Sequence, residues 1–300
     1  MIQKYPRDMV GYGQKTPKVK WPNNAKLALQ IVLNYEEGSE NCVLHGDKTS
    51  EVFLSEIIGA QPVKGRHINM ESLYEYGSRR GFWRIHKLFQ EKKIPITIFG
   101  VGMALEKNLE ICQAIKESDY EVASHGWRWI DYQKVSRSTE KKHMRLAIKS
   151  IEKIFGKRPL GWYTGRCSPN TRDLVMEEGG FLYDSDSYSD DLPYWEVRGK
   201  KKQLIIPYTL DNNDMRFATN QGFNSGEQFY TYLKDSFDAL YNEDSPPKMM
   251  SVGLHCRIIG RPGRIQSLKK FLDYVLKHRD VWICKRIDIA KHWIKNYSIK

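Results

Sequence analysis

The sequence predicts an α/β protein: a parallel sheet flanked by helices, open or curled into a barrel. Two observations carry this. Short apolar, β-branched runs alternate with longer segments of helical periodicity along the whole chain. In addition, polar residues gather just after the apolar runs, where folds of this class place their chemistry.

The expected strands are Lys26–Leu33, Ile94–Val101, Tyr120–Ala123, Leu160–Tyr163, Phe181–Asp184, Leu204–Tyr208, Met249–His255 and Val281–Cys284. Between them, helices are expected over Met70–Glu91, Met103–Lys116, Ser138–Phe155, Thr171–Glu178, Gly226–Tyr241, Ile265–Lys277 and Ile287–Asn296. In the third helix, Met144, Ala147, Ile148, Ile151 and Ile154 recur at three- and four-residue spacing and define one apolar face. Ser138 stands before that run as a cap, and Gly156 followed by Pro159 ends it. Leu268, Phe271, Leu272, Tyr274 and Val275 form the buried stripe of the penultimate helix.

The 300 residues, 40% hydrophobic and 28% charged, suit a globular chain and exclude a disordered or fibrous one. No run reaches the roughly 18 apolar residues of a membrane span, and the opening Met1–Asp8 lacks the apolar core of a secretion signal. A cytoplasmic protein without a membrane partner is expected. The 5 cysteines are scattered and form no C-x-x-C pair, so free thiols are expected rather than a zinc ribbon or redox motif. The net charge of +12 is spread out, with small clusters at Lys141-Lys142 and Lys200-Lys201-Lys202 and no nucleic-acid-binding motif. No nucleic-acid partner is expected; a cleft for a small carbonyl-rich or anionic molecule fits the charge.

The strand ends are rich in acid–base groups. Glu36 and Glu37 follow the first strand, His125 the third, and Arg166 the fourth. Asp184 and Asp186 come next, then Asn213 and Asp214, and finally His255 and Arg257. Carboxylates and imidazoles in one pocket serve proton transfer, because burial and neighbours move their pKa values. Arginines fork onto carbonyl or carboxylate oxygens and stabilise charge developing there. Together they point to hydrolysis of an amide-like bond. Trp127, Trp129, Trp162 and Trp195 are read as packing and pocket walls, Arg261 and Arg264 as loop or subunit bridges, and Asp184 and Asp186 as loop braces.

At these residues the chain resembles the polysaccharide deacetylase superfamily, the NodB-homology fold. The resemblance implies an irregular (β/α) barrel of about seven parallel strands. That family's pattern has a strand-end Asp-Asp, His-x-x-x-His, an Arg-Pro motif and a late Leu-His; its second Asp and two His hold a divalent metal, commonly zinc. Here Glu36 takes the place of the general base and Glu37 that of the metal-binding Asp. His125 matches the first metal His, Trp129 stands where the second should be, and Arg166 and His255 match the later motifs. Indole cannot ligate a metal, so Glu37 and His125 supply two ligands where a catalytic zinc takes three. His45 or Asp47 would have to complete the set. No metal or other cofactor is therefore expected, and if zinc or another divalent ion binds, Glu37 and His125 are its ligands.

The departures resemble one branch, the PuuE-type allantoinases. Tyr5-Pro6-Arg7-Asp8, Asn34-Tyr35-Glu36-Glu37-Gly38, Leu44-His45-Gly46-Asp47-Lys48, Ser124-His125-Gly126 and Gly161–Arg166 carry the match, as do Asp190–Trp195, Asn213–Phe217 and Gly253–Arg257 with Gly260-Arg261-Pro262. It implies hydrolysis of allantoin to allantoate in purine (urate) catabolism by a homo-oligomer, a tetramer. The whole of residues 1–300 is then one catalytic domain with an N-terminal extension over about residues 1–25.

On this reading Glu36 is the general base, His255 protonates the leaving ring nitrogen, and His125 or Arg166 donates to the oxyanion. Glu37 orients His125 or exchanges roles with Glu36. Tyr163, Trp129, Asn213, Asp214 and Arg257 meet the urea-like groups. Two alternatives stand beside it: a metal-dependent deacetylase of an N-acetylated sugar or polysaccharide, and a non-catalytic small-molecule-binding protein.

Overall fold

The strand β1 (Leu27–Tyr35) is buried at all nine positions, so it has to be covered on both faces. The computed structural model describes residues 5–118, 120–243 and 246–299, and it surrounds β1 accordingly. β8 (Lys248–His255) pairs with β1 in parallel from Leu27 to Asn34. β9 (Val281–Cys284) pairs with its first half, and β2 (Thr97–Gly100) with its second. From β2 the sheet continues in parallel through β3 (Glu121–Ser124), β4 (Gly161–Trp162), β5 (Tyr183–Asp184) and β7 (Lys201–Ile205). The antiparallel β6 (Tyr194–Arg198) closes that edge. The result is the expected α/β architecture, a curled, mostly parallel half-barrel with helices outside.

Side-chain alternation along β1 divides the core. Leu27, Leu29, Ile31, Leu33 and Tyr35 pack with α2 (Phe82–Lys92), α4 (Leu109–Glu117), α7 (Gly226–Asn242) and α9 (Pro262–Val275). Ala28 and Val32 face the other cluster, with Phe99, Tyr163 and Tyr208. Gln30 and Asn34 share that face as buried polar groups. This interior is filled by Arg286, the first residue of α10 (Arg286–Asn296). Its guanidinium donates to Gln30 Oε1 at 2.8 Å, to the Ser251 and Ser185 hydroxyls at 2.9 Å, and to the Pro207 carbonyl at 2.9 Å. Every partner is neutral, so hydrogen bonds rather than an ion pair hold this buried charge.

Several expected elements change. The helix over Met70–Glu91 is a run of α1 (Ile68–Tyr76) and α2 joined by a π-helical turn at Gly77–Gly81. The helix over Met103–Lys116 is broken into α3 (Gly102–Lys107) and α4 because Asn108 leaves the helical conformation and caps Ile111 N. α5 (Arg137–Phe155) is capped by Ser136, not Ser138, while Gly156 does end it with φ 72°. α6 (Thr171–Glu178) stands where expected. The strand placed at Leu204–Tyr208 starts and stops earlier, as β7, and β6 was not anticipated. β6 and the start of β7 lie partly in solvent and carry Arg198, Lys201 and Lys202, so only the Leu204-Ile205 end shows an apolar run; Gly199, with φ 61°, turns the hairpin. The short α8 (Cys256–Ile259) was also missed. At the end of the expected N-terminal extension, Val19, Trp21 and Ala25 are buried, and Trp21 Nε1 donates to the Lys248 carbonyl at 2.9 Å.

Candidate active site

The carboxyl ends of β1, β3, β4 and β8 open into a cleft of about 420 Å³, part of it continuous with solvent. Glu36, His125, Trp129, Tyr163, Arg166, Asn213 and His255 all line it. Glu37, Asp214 and Arg257, the remaining expected site residues, lie behind this wall rather than on it.

Glu36 is the hub. Its Oε1 lies 3.3 Å from His125 Nε2 and 3.5 Å from His255 Nε2, and its Oε2 accepts from Arg257 NH1 at 2.6 Å. Burial opposes its ionisation, but Arg257, then His255 and His125, outweigh burial and hold the carboxyl well below the usual range. His255 is fixed from the far side. Its Nδ1 bonds Asp214 Oδ1 at 2.6 Å, while Asp214 Oδ2 accepts from the backbone N–H of His255 at 2.8 Å and of Ile259 at 3.0 Å. Burial disfavours the imidazolium, yet the charges of Glu36 and Asp214 raise its pKa to about 9. At neutral pH the cleft therefore holds an ionised carboxylate beside a protonated imidazole.

Glu37 does not reach His125. It accepts from the Glu36 N–H at 3.0 Å and the Arg257 N–H at 3.2 Å, tying the β1 end to the β8 end. Burial pushes its carboxyl up to about 7, with Arg257 opposing and the Glu36 charge adding to the rise. The π-helical turn makes room for it: a Cβ at Gly77 would overlap the Glu37 carboxylate, and one at Gly81 would overlap the Cys256 carbonyl. π-turns of this kind recur at functional sites. The sequence signal was the Gly77/Gly81 pair inside a helical pattern.

Two guanidinium groups lie against Trp129. Arg257 stands 5.0 Å from its ring and 4.5 Å from that of Tyr74, and Arg166 stands 5.1 Å from Trp129 and 4.8 Å from Phe53. Arg166 NH1 also donates to buried Glu51 at 3.1 Å. Asp186 braces the loop that carries Arg166, accepting from Thr164 and Gly165 N–H at 2.9 and 2.7 Å. Tyr163 packs its ring 4.9 Å from that of His125 and its hydroxyl bonds Tyr188 at 3.0 Å. Arg261 and Arg264 stand away from the cleft and reach Glu56.

The divalent metal implied by the family pattern does not fit these residues. Trp129 replaces one ligand, Glu37 faces Gly77 and Arg257 instead of His125, and Arg257 already places a fixed cation on Glu36. His45 and Asp47 do not complete a set: His45 contacts Lys107 and Asp47 pairs with Arg128. Among the described residues, no group of three or more His, Cys, Asp and Glu side chains is placed to hold a metal ion.

A curled parallel sheet with this strand-end cleft defines a class, and the chain belongs to the polysaccharide deacetylase family. The family pattern matches residues 67–177, and a Schizosaccharomyces pombe protein named for the same family is 42% identical over 316 residues, 98% of each chain. Among solved structures, PuuE allantoinase is 55% identical with a TM-score of 0.97, covering 99% of this chain and 100% of its own. A Pseudomonas aeruginosa PAO1 protein, again named for the polysaccharide deacetylases, is 56% identical with the same TM-score and coverage.

Proposed function

We propose that the protein is a hydrolase that opens the cyclic amide of allantoin to give allantoate. The observation that carries this reading is the Glu36–His255 pair on the cleft wall, an ionised carboxylate and a protonated imidazole 3.5 Å apart. Its full-length likeness to PuuE allantoinase supplies the substrate.

In the reaction, Glu36 takes a proton from water as the oxygen attacks the ring carbonyl. Arg166, anchored by Glu51 and resting against both Phe53 and Trp129, faces the oxyanion together with His125. His255 Nε2–H protonates the ring nitrogen as the C–N bond breaks, and the Glu36 carboxyl then returns its proton to His255. One proton leaves Glu36 for each one that His255 gave up, so the buried cluster ends with its starting charge. A carboxylate with a depressed pKa is a weak base, so the proton it takes from water passes readily to His255 once that imidazole has given up its own. Arg257 holds the fixed positive charge behind Glu36, Asp214 aligns His255, and Glu37 positions Arg257. Trp129, Tyr163 and Asn213 form walls against the substrate.

The same reading takes residues 1–300 as one catalytic unit in the cytoplasm and, on resemblance alone, the protein as a homotetramer; sedimentation of the purified protein tests the assembly. Among the described residues, no helix is long and apolar enough to cross a membrane. The test of function is allantoate production from allantoin before and after exhaustive chelation, with bound metal measured on the same sample. Unchanged turnover at negligible metal is expected. Loss on chelation and recovery with zinc would overturn the metal-free mechanism, and absence of turnover in both states would overturn the function.

A further inference from the structure

The amide of Asn34 has only one orientation consistent with its neighbours. Its Nδ2 lies 3.0 Å from the Leu254 carbonyl oxygen and 3.0 Å from the Tyr208 hydroxyl. A backbone carbonyl only accepts, so the nitrogen must face it and Oδ1 must point elsewhere. Asn34 is 1% exposed and lines the cleft, yet its Oδ1 has no hydrogen-bond partner. Tyr208 is its complement. Its hydroxyl accepts from Asn34, the residue also lines the cleft, and among the described residues no acceptor takes its proton. Gly253 permits the arrangement, since a Cβ there would overlap the Tyr208 hydroxyl. Two adjoining residues of the cleft lining thus hold a buried acceptor without a partner and a hydroxyl whose proton is untaken. A buried acceptor without a partner is unfavourable, and a ligand N–H relieves it.

We propose that Asn34 and Tyr208 form a specificity element that reads an amide edge, Asn34 Oδ1 accepting a substrate N–H and Tyr208 donating to the carbonyl beside it. The ligand class is a cyclic secondary amide or ureide; an ester or an N-alkylated ring lacks the hydrogen that Asn34 requires. The inference deepens the cyclic-amide reading and rests on it for the ligand, but it concerns binding and can be measured without turnover.

The test is calorimetric titration of the whole protein with hydantoin and with 1,3-dimethylhydantoin, for wild type, Asn34→Leu and Tyr208→Phe, beside allantoin turnover by wild type. Wild type should bind hydantoin at least about tenfold more tightly than the dimethyl ring, the sense of discrimination expected when a site is built around a hydrogen bond. Asn34→Leu should bring that ratio close to one, and Tyr208→Phe should weaken hydantoin several-fold while keeping the ratio. Equal binding of the two rings by wild type, or no measurable hydantoin binding, overturns the proposal. So does a ratio kept in Asn34→Leu, which would assign the preference to methyl bulk. Should Asn34→Leu fail to fold, the wild-type ratio and Tyr208→Phe decide, and unchanged hydantoin affinity in the latter also overturns it. Inert allantoin with the ratio intact removes the proposed reaction and keeps the specificity element; active turnover with a ratio near one does the reverse.

Discussion

Asp214 holds His255 by both ends of one residue: one carboxylate oxygen bonds the ring Nδ1 at 2.6 Å and the other accepts the backbone N–H at 2.8 Å. The imidazole is thereby fixed in direction and in charge, with Nε2 left toward Glu36 and the cleft.

The first consequence is a pH profile. With the protonated His255 acting as acid and its pKa raised to about 9, kcat/KM should be level near neutrality and fall as pH rises through about 9. Asp214→Asn removes one of the two charges that raise the pKa, so the alkaline fall should move by about one unit or more toward the ordinary 6.5. A profile of the variant with an unmoved alkaline limb would take Asp214 out of this role.

Glu36→Gln should lower kcat by about 10²–10⁴-fold with the fold retained, because the amide cannot take the proton from water. Steady-state kinetics beside circular dichroism checks it. Near-wild-type turnover would remove Glu36 as base, and an unfolded variant would mark it as a structural carboxylate pairing Arg257.

Glu37 gives a separate prediction for stability. Its pKa is raised from 4.5 to about 7 in the fold, so the folded state binds the proton more tightly than the unfolded one. Its contribution is present in full below about pH 4.5 and is lost as pH rises through about 7. Glu36 works in the opposite sense, its pKa being depressed, so its contribution is present above 4.5 and fades as the pH falls toward its own value. Urea midpoints across this range should decline less between pH 5 and 8 in Glu37→Gln than in wild type. Parallel curves would show that Glu37 does not titrate there.

Gly77→Ala should destabilise the protein by about 1–3 kcal/mol, the ordinary cost of overpacking, and reduce turnover, because the new methyl overlaps the Glu37 carboxylate. Gly81→Ala should cost more, since its Cβ meets the Cys256 backbone carbonyl, which cannot swing away as a side chain can. Urea unfolding of both variants measures the order, and equal stability to wild type would contradict the packing described.

Much of the site was legible because of where chemistry sits in a β/α chain. Alternating strands and helices bring strand carboxyl ends to one edge, so Glu36, His125, Arg166 and His255 could be gathered from their places after apolar runs, and all line the cleft. Local pattern also carried α6 residue for residue and the Gly156 end of α5. The π-turn was hidden because Gly77 and Gly81 interrupt an apolar helical periodicity without ending it. β6 and the first residues of β7 were hidden because solvent-facing strands need no apolar signal, while the buried Leu204-Ile205 half of β7 was seen.

The sequence by itself thus determined the fold class, the edge that carries the chemistry and the groups that stand on it, since periodicity and strand-end position are local properties. The tertiary structure alone decided which of those groups meet. Arg257 reaches Glu36 across 221 positions of chain, and Asp214 reaches His255 across 41. These pairings depend on the register of β1 against β8, on the curl of the sheet and on two glycines in a helix that packs from outside. They place Asp214 and Arg257, expected as substrate contacts, behind the cleft wall and against His255 and Glu36. Side-chain partners across a sheet are fixed by backbone geometry that no local run of residues encodes.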